Sequence, residues 1–220
     1  GKICVLLAVI TDPVAGLSKL LVLTNALKSN GAKKIFVVMP YYIYSRQDRV
    51  DKQGAPITRD LVASLLVSAG ADRIITVDLH NPSGQGIMKK IINLSPLGSM
   101  PPAVRNYVDS SWTIAAPDHG AVKRARDLAA ALKIKKIIEL TKARPRPGEA
   151  RIVGITGEPA TDQKILIVDD MIDSGGTLIQ AANFLKEQGA MLIAAVCTHG
   201  IFSGSAADTI NRSVIKKVFA

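Results

Sequence analysis

Aromatic residues are scarce in this sequence, and long apolar runs are absent. Aromatics make up 4% of the 220 residues, so few side chains are available for stacking on the bases of a single-stranded nucleic acid. The longest uninterrupted apolar run, Ile3 to Ile10, has eight residues, whereas a membrane-spanning helix requires about 20. Lys2 precedes that run, but no small-residue cleavage pattern closes it before Thr11-Asp12-Pro13. We therefore expect a buried strand there, and neither a membrane span nor a secretory signal.

Cysteine is also rare, since the chain contains only Cys4 and Cys197. Both lie within apolar, β-branched stretches, where a free cysteine behaves as a small hydrophobic residue. Two such thiols suit a reducing compartment better than a disulfide framework. We therefore expect the protein to be cytoplasmic.

Acidic residues are outnumbered by basic ones, 18 to 28, which gives a formal net charge of +10. This charge favours anionic partners, with nucleic acid, a membrane surface and small phosphorylated substrates as candidates. The recognisable nucleic-acid-binding folds are absent from the sequence, so we expect neither nucleic acid nor membrane as a partner. Hydrophobic residues make up 48%, enough to bury a sizeable core in one large domain or two small ones.

Strand-like runs alternate with helical patterns along the first part of the chain. The strands are predicted at Ile3 to Val9, Lys34 to Met39 and Arg73 to Asp78, and the helices at Leu17 to Lys28 and Thr58 to Ser68. Such alternation is typical of an α/β fold with a mainly parallel sheet flanked by helices. Thr58 is predicted to cap its helix, with Asp60 favourably placed in the first turn.

A second α/β set follows the Pro- and Gly-containing stretch from Pro96 to Pro102. We therefore predict two similar domains, residues 1–95 and 96–220. Helices are expected near Gly120 to Leu132 and Gly176 to Gln188, and strands at Thr113 to Ala116, Lys135 to Leu140, Arg151 to Ile155, Lys164 to Val168 and Met191 to Cys197.

A basic segment, Thr141 to Glu149, lies between two of these strands. Its Pro and Gly residues are predicted to exclude a regular element, and three cations lie within five residues. One interpretation is a solvated hairpin. The other is a mobile flap that closes over phosphates.

The strongest motif runs from Ile165 to Leu178. An apolar strand ends in Asp169 and Asp170, passes through a turn of small residues and enters a helix. Ligands of open α/β sheets usually bind at this end of a strand. The turn Ser174-Gly175-Gly176-Thr177 presents backbone N–H groups at a helix N-terminus, where they can cradle a phosphate. The two aspartates would repel phosphate and suit sugar hydroxyls instead.

This motif resembles the ribose-5-phosphate-binding motif shared by phosphoribosyltransferases and ribose-phosphate diphosphokinases. Three further matches favour the diphosphokinases. Pro40 to Arg49 resembles their ATP-binding segment, in which two guanidiniums and an amide can contact phosphate and an adenine edge. Val77 to His80, followed by Gln85-Gly86, resembles the next fingerprint. Ala116 to Arg126 resembles the Pro-Asp-x-Gly-Gly stretch, although Asp118 could instead be a helix N-cap.

The resemblance implies an enzyme with two phosphoribosyltransferase-type domains that transfers the diphosphoryl group of ATP to ribose 5-phosphate, with Mg²⁺ as cofactor. By the motif Lys142-Ala143-Arg144-Pro145, Lys142 and Arg144 are the implied catalytic residues, and His80 and Asp118 the implied metal-associated groups. The implied ATP-binding residues are Arg46, Gln47, Asp48, Arg49 and His80. The implied ribose-5-phosphate-binding residues are Asp169, Asp170, Asp173, Ser174, Gly175, Gly176 and Thr177. The family also implies a homo-oligomer, a dimer that builds into a hexamer.

The sequence departs from the family pattern at several positions. Ile87-Met88 replaces an aromatic pair, His119 stands where a small residue is common, and Ala143 replaces an arginine. The match begins at what corresponds to an internal strand of the family's first domain. The resemblance therefore implies that the family's N-terminal stretch, including its first strand region, is missing here.

Two alternatives use the same motifs. A phosphoribosyltransferase would consume the diphosphate instead of making it, but it gives no account of Arg46 to Arg49 or of Val77 to His80. A non-catalytic regulatory relative would be expected to lose the flap cations or the metal groups, yet Lys142, Arg144, His80 and Asp118 are all present. Both alternatives stay open at this point.

Overall fold

The computed structural model describes residues 1–50, 52–83, 85–96, 102–146 and 149–220; for residues 144–146 and 149–150 it describes the backbone alone. The chain divides into two compact units, Gly1–Pro96 and Leu97–Ala220. No helix within the described ranges is long and apolar enough to cross a membrane.

The first unit is built on a four-stranded parallel sheet in the order β1-β2-β3-β4. Its core packs around buried Val37, Leu66 and Ile74. A short 3₁₀ turn, Gly86–Lys90, leads into the last strand of this sheet. The sequence patterns did not predict that strand. The elements are β1 (Ile3–Leu7), α1 (Pro13–Ser29), β2 (Lys34–Val38), α2 (Thr58–Ala69), β3 (Arg73–Val77) and β4 (Ile91–Leu94).

The expectation that the first strand is buried is wrong for alternate residues. Ile3, Val5 and Leu7 are 63%, 63% and 70% exposed. Successive side chains of a strand point to opposite faces of the sheet, and Leu6 packs against the core while Ile3, Val5 and Leu7 lie on a face that the described residues leave uncovered. Apolar composition alone therefore did not predict burial here.

The predicted N-cap of α2 is also wrong. The helix begins at Thr58, the N-cap position is Ile57, and no side chain caps it, although Asp60 lies in the first turn as predicted. The N–H of Arg59 donates instead to the carbonyl of Gln47 at 3.1 Å. A backbone carbonyl of the preceding loop therefore accepts the hydrogen bond of a first-turn amide, which a capping side chain would otherwise accept.

The second unit contains a six-stranded sheet in the order β10-β9-β8-β5-β6-β7. Neighbouring strands are parallel except for the antiparallel β6–β7 pair. Its elements are α3 (Pro102–Tyr107), β5 (Thr113–Ala116), α4 (Val122–Leu132), β6 (Lys136–Arg146), β7 (Glu149–Gly157), β8 (Lys164–Ile172), α5 (Gly176–Glu187), β9 (Leu192–Gly200), α6 (Ala206–Asn211) and β10 (Lys217–Phe219).

Both faces of this sheet are covered, which explains the continuous apolar run of β8. Ile165 and Ile167 pack on one side with Leu185 of α5. Leu166 and Val168 pack on the other side with helix α4. A strand buried on both faces carries apolar residues at every position. The predicted α/β class with mainly parallel sheets is therefore confirmed.

The basic segment is more regular than predicted. Strands β6 and β7 continue into it as a long hairpin, with Lys142 opposite Ile152 and Arg146 opposite Glu149. Pairing between β5 and β6 ends at Glu139, and the β6–β7 register shifts between Ala143 and Arg146. Proline is tolerated where a strand lacks a second partner or at an irregularity, so Pro145 does not interrupt β6. Pro147 and Gly148 lie outside the described residues.

Candidate active site

The acid pair of β8 lies at the carboxyl end of the central strands of the second unit. The sequence pattern ended this strand at Val168, but the structure continues it to Ile172, with Asp169 opposite Cys197 on β9. Asp170 is only 4% exposed, and its N–H donates to Asp169 Oδ1 at 2.9 Å. The two carboxyl groups are therefore fixed by a strand and are not part of the turn that follows.

Burial changes the protonation of this end of the sheet. Loss of water, followed by the negative charge of Asp170, raises the pKa of Asp169 from 3.8 to about 7. Burial likewise raises the pKa of the Cys197 thiol to about 12. Cys197 is therefore a packing residue and not a nucleophile, whereas Asp169 can exchange a proton near neutral pH.

The turn after β8 leads into an uncapped helix N-terminus. Gly175 precedes α5 with φ +80°, no side chain caps the helix, and its first turn contains no acidic residue. Ser174, Gly176 and Thr177 are exposed. Backbone amides in this arrangement, with two hydroxyl groups beside them, can bind a phosphate.

Asp173 accepts hydrogen bonds from the loop after β9. The sequence patterns did not predict a contact between that loop and this turn. Ser203 Oγ, which follows β9, donates to Asp173 Oδ1 at 2.5 Å. The N–H of Ser203 also donates to the Asp173 carbonyl at 3.2 Å. These two bonds hold the turn in place from the neighbouring strand's loop. The predicted contact of Asp173 with ribose 5-phosphate stays a prediction.

Gly175→Ala tests the geometry of this turn. A Cβ on Gly175 would lie 3.1 Å from the Ile210 side chain, at a φ that L-residues rarely adopt. We expect the substitution to lower the free energy of unfolding by about 1 kcal/mol and to weaken binding of ribose 5-phosphate, measured by thermal unfolding and calorimetry. Gly154→Ala on β7 is the control, because among the described residues, apart from Gly154 and its two chain neighbours, no heavy atom lies within 4 Å of the new methyl group. Equal losses in the two variants would contradict this account.

Asp118 and Lys142, predicted as a metal-associated group and a catalytic cation, form an ion pair. Lys142 Nζ on β6 lies 3.0 Å from Asp118 Oδ2, with 14% of the lysine and 43% of the aspartate side chain exposed. Asp118 follows β5, and its Oδ1 also accepts from the N–H of Ala121 at 3.3 Å. The alternative role as an N-cap is therefore also fulfilled, for the 3₁₀ turn His119–Ala121.

A second pair, His119 and Glu139, lies on the same two elements. His119 Nδ1 and Glu139 Oε1 are 2.9 Å apart in a hydrogen bond, and the imidazole is 94% exposed. The sequence showed His119 only as a departure from the family pattern and did not indicate Glu139. Arg144 continues β6 beyond Lys142, and its side chain lies outside the described residues.

In the first unit, the two predicted ATP-binding motifs form loops at the carboxyl ends of neighbouring strands. Residues 40–49, the first nucleotide segment, follow β2. Residues 78–83, the second nucleotide segment, follow β3. Asn81 Nδ2 donates to Asp48 Oδ2 at 2.6 Å, which connects the two segments. Arg46, Gln47, Arg49 and His80 are exposed, and Asp48 is half-buried.

The predicted metal residues are divided between the units. His80 belongs to the first unit and Asp118 to the second, so neither unit holds both by itself. Among the described residues there is no cluster of three or more His, Cys, Asp or Glu side chains arranged to hold a metal ion.

Family models match both units. Residues 1–70 match the N-terminal domain of ribose phosphate pyrophosphokinase, and residues 102–217 match the phosphoribosyl transferase domain. The crystal structure of phosphoribosylpyrophosphate synthetase from Mycobacterium smegmatis superposes with a TM-score of 0.83, at 30% identity, over 98% of this chain and 70% of that one. The fold and motifs thus define an α/β protein with two phosphoribosyltransferase-type domains.

Curated relatives specify the family. Ribose-phosphate pyrophosphokinase of Aquifex aeolicus is 42% identical over 212 residues, which cover 95% of this chain and 68% of that protein. The Bacillus caldolyticus protein of the same name is 44% identical over 206 residues, 92% of this chain and 64% of that protein. The chain belongs to the ribose-phosphate pyrophosphokinase family and spans about two thirds of the length of these relatives. The predicted family, fold class and enzyme class are confirmed.

Proposed function

We propose that this chain transfers the β,γ-diphosphoryl group of ATP to the 1-hydroxyl of ribose 5-phosphate, forming 5-phosphoribosyl 1-diphosphate and AMP for nucleotide biosynthesis. The observation that carries the proposal is the ion pair of Lys142 with Asp118. Lys142 lies on β6 of the sheet whose strand β8 carries the acid pair and leads into the uncapped start of α5. This set provides a phosphate cradle, hydroxyl acceptors and a cation on a long side chain.

The second unit binds the acceptor in this proposal. The amides and hydroxyls of Ser174 to Thr177 hold the 5-phosphate, as a helix N-terminus does for anions generally. Asp169 and Asp170 accept hydrogen bonds from the ribose hydroxyls, with Asp173 completing the set. The 1-hydroxyl oxygen then forms a bond to the β-phosphorus and gives up its proton to water. The bond from the β-phosphorus to the α,β-bridging oxygen breaks, and that oxygen leaves on AMP with the electron pair. Catalysis is positioning and charge neutralisation, which Lys142 and Arg144 supply.

The first unit binds ATP in this proposal, through Arg46, Gln47, Asp48, Arg49 and His80. The predicted N-terminal and C-terminal domains, residues 1–95 and 96–220, are part of the same proposal. The exposed guanidiniums of Arg46 and Arg49 suit the phosphates, because arginine pairs bidentately with such groups. The remaining expectations, a cytoplasmic homo-oligomer in which dimers build into a hexamer, belong to the same proposal.

Mg²⁺ fits the donors that are present. Asp118 has 43% of its side chain exposed, so its carboxylate can reach a ligand, and oxygen donors are those that Mg²⁺ prefers. Asp118 would offer such an oxygen in the second unit, and His80 is the metal-associated residue proposed for the first unit. When bound, the ion would neutralise charge on the ATP phosphates. Lys142 Nζ donates a hydrogen bond to Asp118 Oδ2 in this structure. When the carboxylate binds the ion instead, the lysine becomes available to the reacting phosphates.

Nucleotide analysis tests the proposal. The chain is incubated with ATP, Mg²⁺ and ribose 5-phosphate, and AMP is separated from ADP by chromatography. We expect AMP formation that depends on ribose 5-phosphate. A phosphoribosyltransferase would release diphosphate from 5-phosphoribosyl 1-diphosphate without ATP. Absence of AMP, with ribose 5-phosphate still bound, would favour the regulatory alternative and contradict the proposal.

A further inference from the structure

Arg59 is a buried arginine in the first unit that belongs to none of the motifs. It lies in the first turn of α2 and is 4% exposed. Its Nε donates to Asp60 Oδ1 at 2.8 Å. Its Nη1 donates to the carbonyl of Asn81 at 3.0 Å and to that of Ser83 at 3.2 Å. The guanidinium therefore holds the backbone of the second nucleotide segment.

The backbone of the same residue holds the first nucleotide segment. The Arg59 N–H donates to the Gln47 carbonyl at 3.1 Å, and the Arg59 carbonyl accepts from the Tyr42 hydroxyl at 3.0 Å. The Asp48–Asn81 bond then joins the segments directly. Arg59, the first segment and the second segment thus form a closed circuit of hydrogen bonds.

Both segments contain backbone conformations that need such support. Tyr44 and Asp78 have φ values of +59° and +44°, in the left-handed region that non-glycine residues rarely occupy. Conformations of this kind persist only when the surrounding structure imposes them. Arg46, Gln47, Arg49 and His80 are exposed and belong to these two segments, so the conformation of the segments decides where their backbones lie.

We propose that Arg59 is a positioning residue of the nucleotide site: it sets the placement of the two nucleotide segments so that their exposed side chains converge on the polyphosphate and base of ATP. This inference rests on the proposed ATP-binding role of the first unit. Arg59 touches no substrate in this proposal. It acts through Gln47, Asp48 and the backbone that leads from His80 to Ser83.

Arg59→Met tests the proposal through direct binding. The full chain is titrated by calorimetry with α,β-methylene-ATP, which the reaction cannot cleave, and separately with ribose 5-phosphate. We expect the Kd for the nucleotide to rise about 10- to 100-fold, as for loss of a buried charged hydrogen-bonding group. The Kd for ribose 5-phosphate is expected to stay within about twofold. Arg59→Lys is expected to recover part of the affinity, because it retains the charge but not the planar fork.

Two further variants make the result specific. Arg73→Met is the matched control, because the Arg73 guanidinium contacts the neighbouring carbonyl of Asp72 at 2.9 Å and neither segment. We expect it to leave both dissociation constants unchanged. Asn81→Ala removes the 2.6 Å bond to Asp48 and the 3.0 Å bond from the Ser83 N–H, and it leaves the buried Arg59 in place. This variant is the test if Arg59→Met does not fold. It is expected to weaken nucleotide binding in the same selective way.

Three results would overturn the proposal. One is unchanged nucleotide affinity in a folded Arg59→Met chain, or in Asn81→Ala if the arginine variant does not fold. Another is an equal loss of affinity for ribose 5-phosphate, which would indicate general destabilisation. The third is a wild-type chain that does not bind the nucleotide. Failure of the reaction alone has a different signature, because nucleotide binding would then persist and respond to Arg59 while no AMP is formed.

Discussion

Lys142→Ala is expected to lower turnover on the order of 10³-fold or more, with ribose 5-phosphate still bound. Removal of a single cation that neutralises a phosphoryl-transfer transition state has effects of this size. The substitution has little reason to unfold the chain, because Asp118 keeps 43% of its side chain exposed to water and partly exposed ion pairs contribute about 0–1 kcal/mol. Steady-state AMP formation measures the turnover, and calorimetry measures the retained binding.

Lys123→Ala is the matched control for this prediction. Lys123 Nζ pairs with Asp127 Oδ2 at 2.6 Å on α4, so the variant also removes a lysine–aspartate pair from the second unit. We expect turnover within about twofold of wild type, because the pair is exposed and screened. Retention of wild-type turnover by Lys142→Ala would contradict the proposed role of the flap lysine.

Asp169→Asn is expected to have opposite effects on stability and ligand binding. The folded state raises the pKa of Asp169 from 3.8 to about 7, mainly through burial. At pH values between these two pKa values, the native state binds more protons than the unfolded state. The free energy of unfolding therefore falls as pH rises, and the destabilisation caused by ionised Asp169 is complete above about pH 7. Asparagine cannot ionise. The variant should therefore be more stable than wild type at pH 8, by on the order of 3 kcal/mol, and nearly equal at pH 4.

Ligand binding should change in the other direction. Loss of a carboxylate that is proposed to accept hydrogen bonds from the ribose hydroxyls is expected to weaken ribose 5-phosphate binding about 10- to 100-fold at pH 8. Chemical denaturation at pH 4 and pH 8 measures the first effect, and calorimetry the second. Asp109→Asn is the control, since the hydrogen bond from Ser111 lowers the pKa of Asp109. Its replacement should therefore not raise the free energy of unfolding at pH 8. Equal stability of Asp169→Asn and wild type at both pH values would contradict the account.

The strongest parts of the sequence prediction rest on local patterns. The apolar run, the acid pair and the Gly175-Gly176 turn are contiguous, so a strand, its end and a helix N-terminus could be inferred together. The structure places all three as a β8–turn–α5 unit. The extent of β8 could not be inferred, because continuation to Ile172 depends on pairing with His199 and Gly200 of β9.

Long-range contacts account for what the sequence did not indicate. Glu139 meets His119 across 20 positions, and Arg59 meets the Asn81 carbonyl across 22. Neither spacing carries a periodic signal, because contacts between elements that are distant in sequence follow from the topology of the fold. The flap was predicted as irregular from its Pro and Gly content, whereas pairing with β7 makes it a strand. The exposed face of β1 was missed for a similar reason, since what packs on each face of a strand depends on tertiary structure.

The fate of the ATP phosphorus atoms tests the central claim most directly. ³¹P nuclear magnetic resonance can follow ATP and ribose 5-phosphate in the presence of the chain and Mg²⁺. The account predicts that AMP and 5-phosphoribosyl 1-diphosphate appear in equal amounts as ATP disappears, with no ADP, because the β- and γ-phosphorus atoms move together. ADP with a ribose bisphosphate, or ATP consumption that is independent of ribose 5-phosphate, would contradict it.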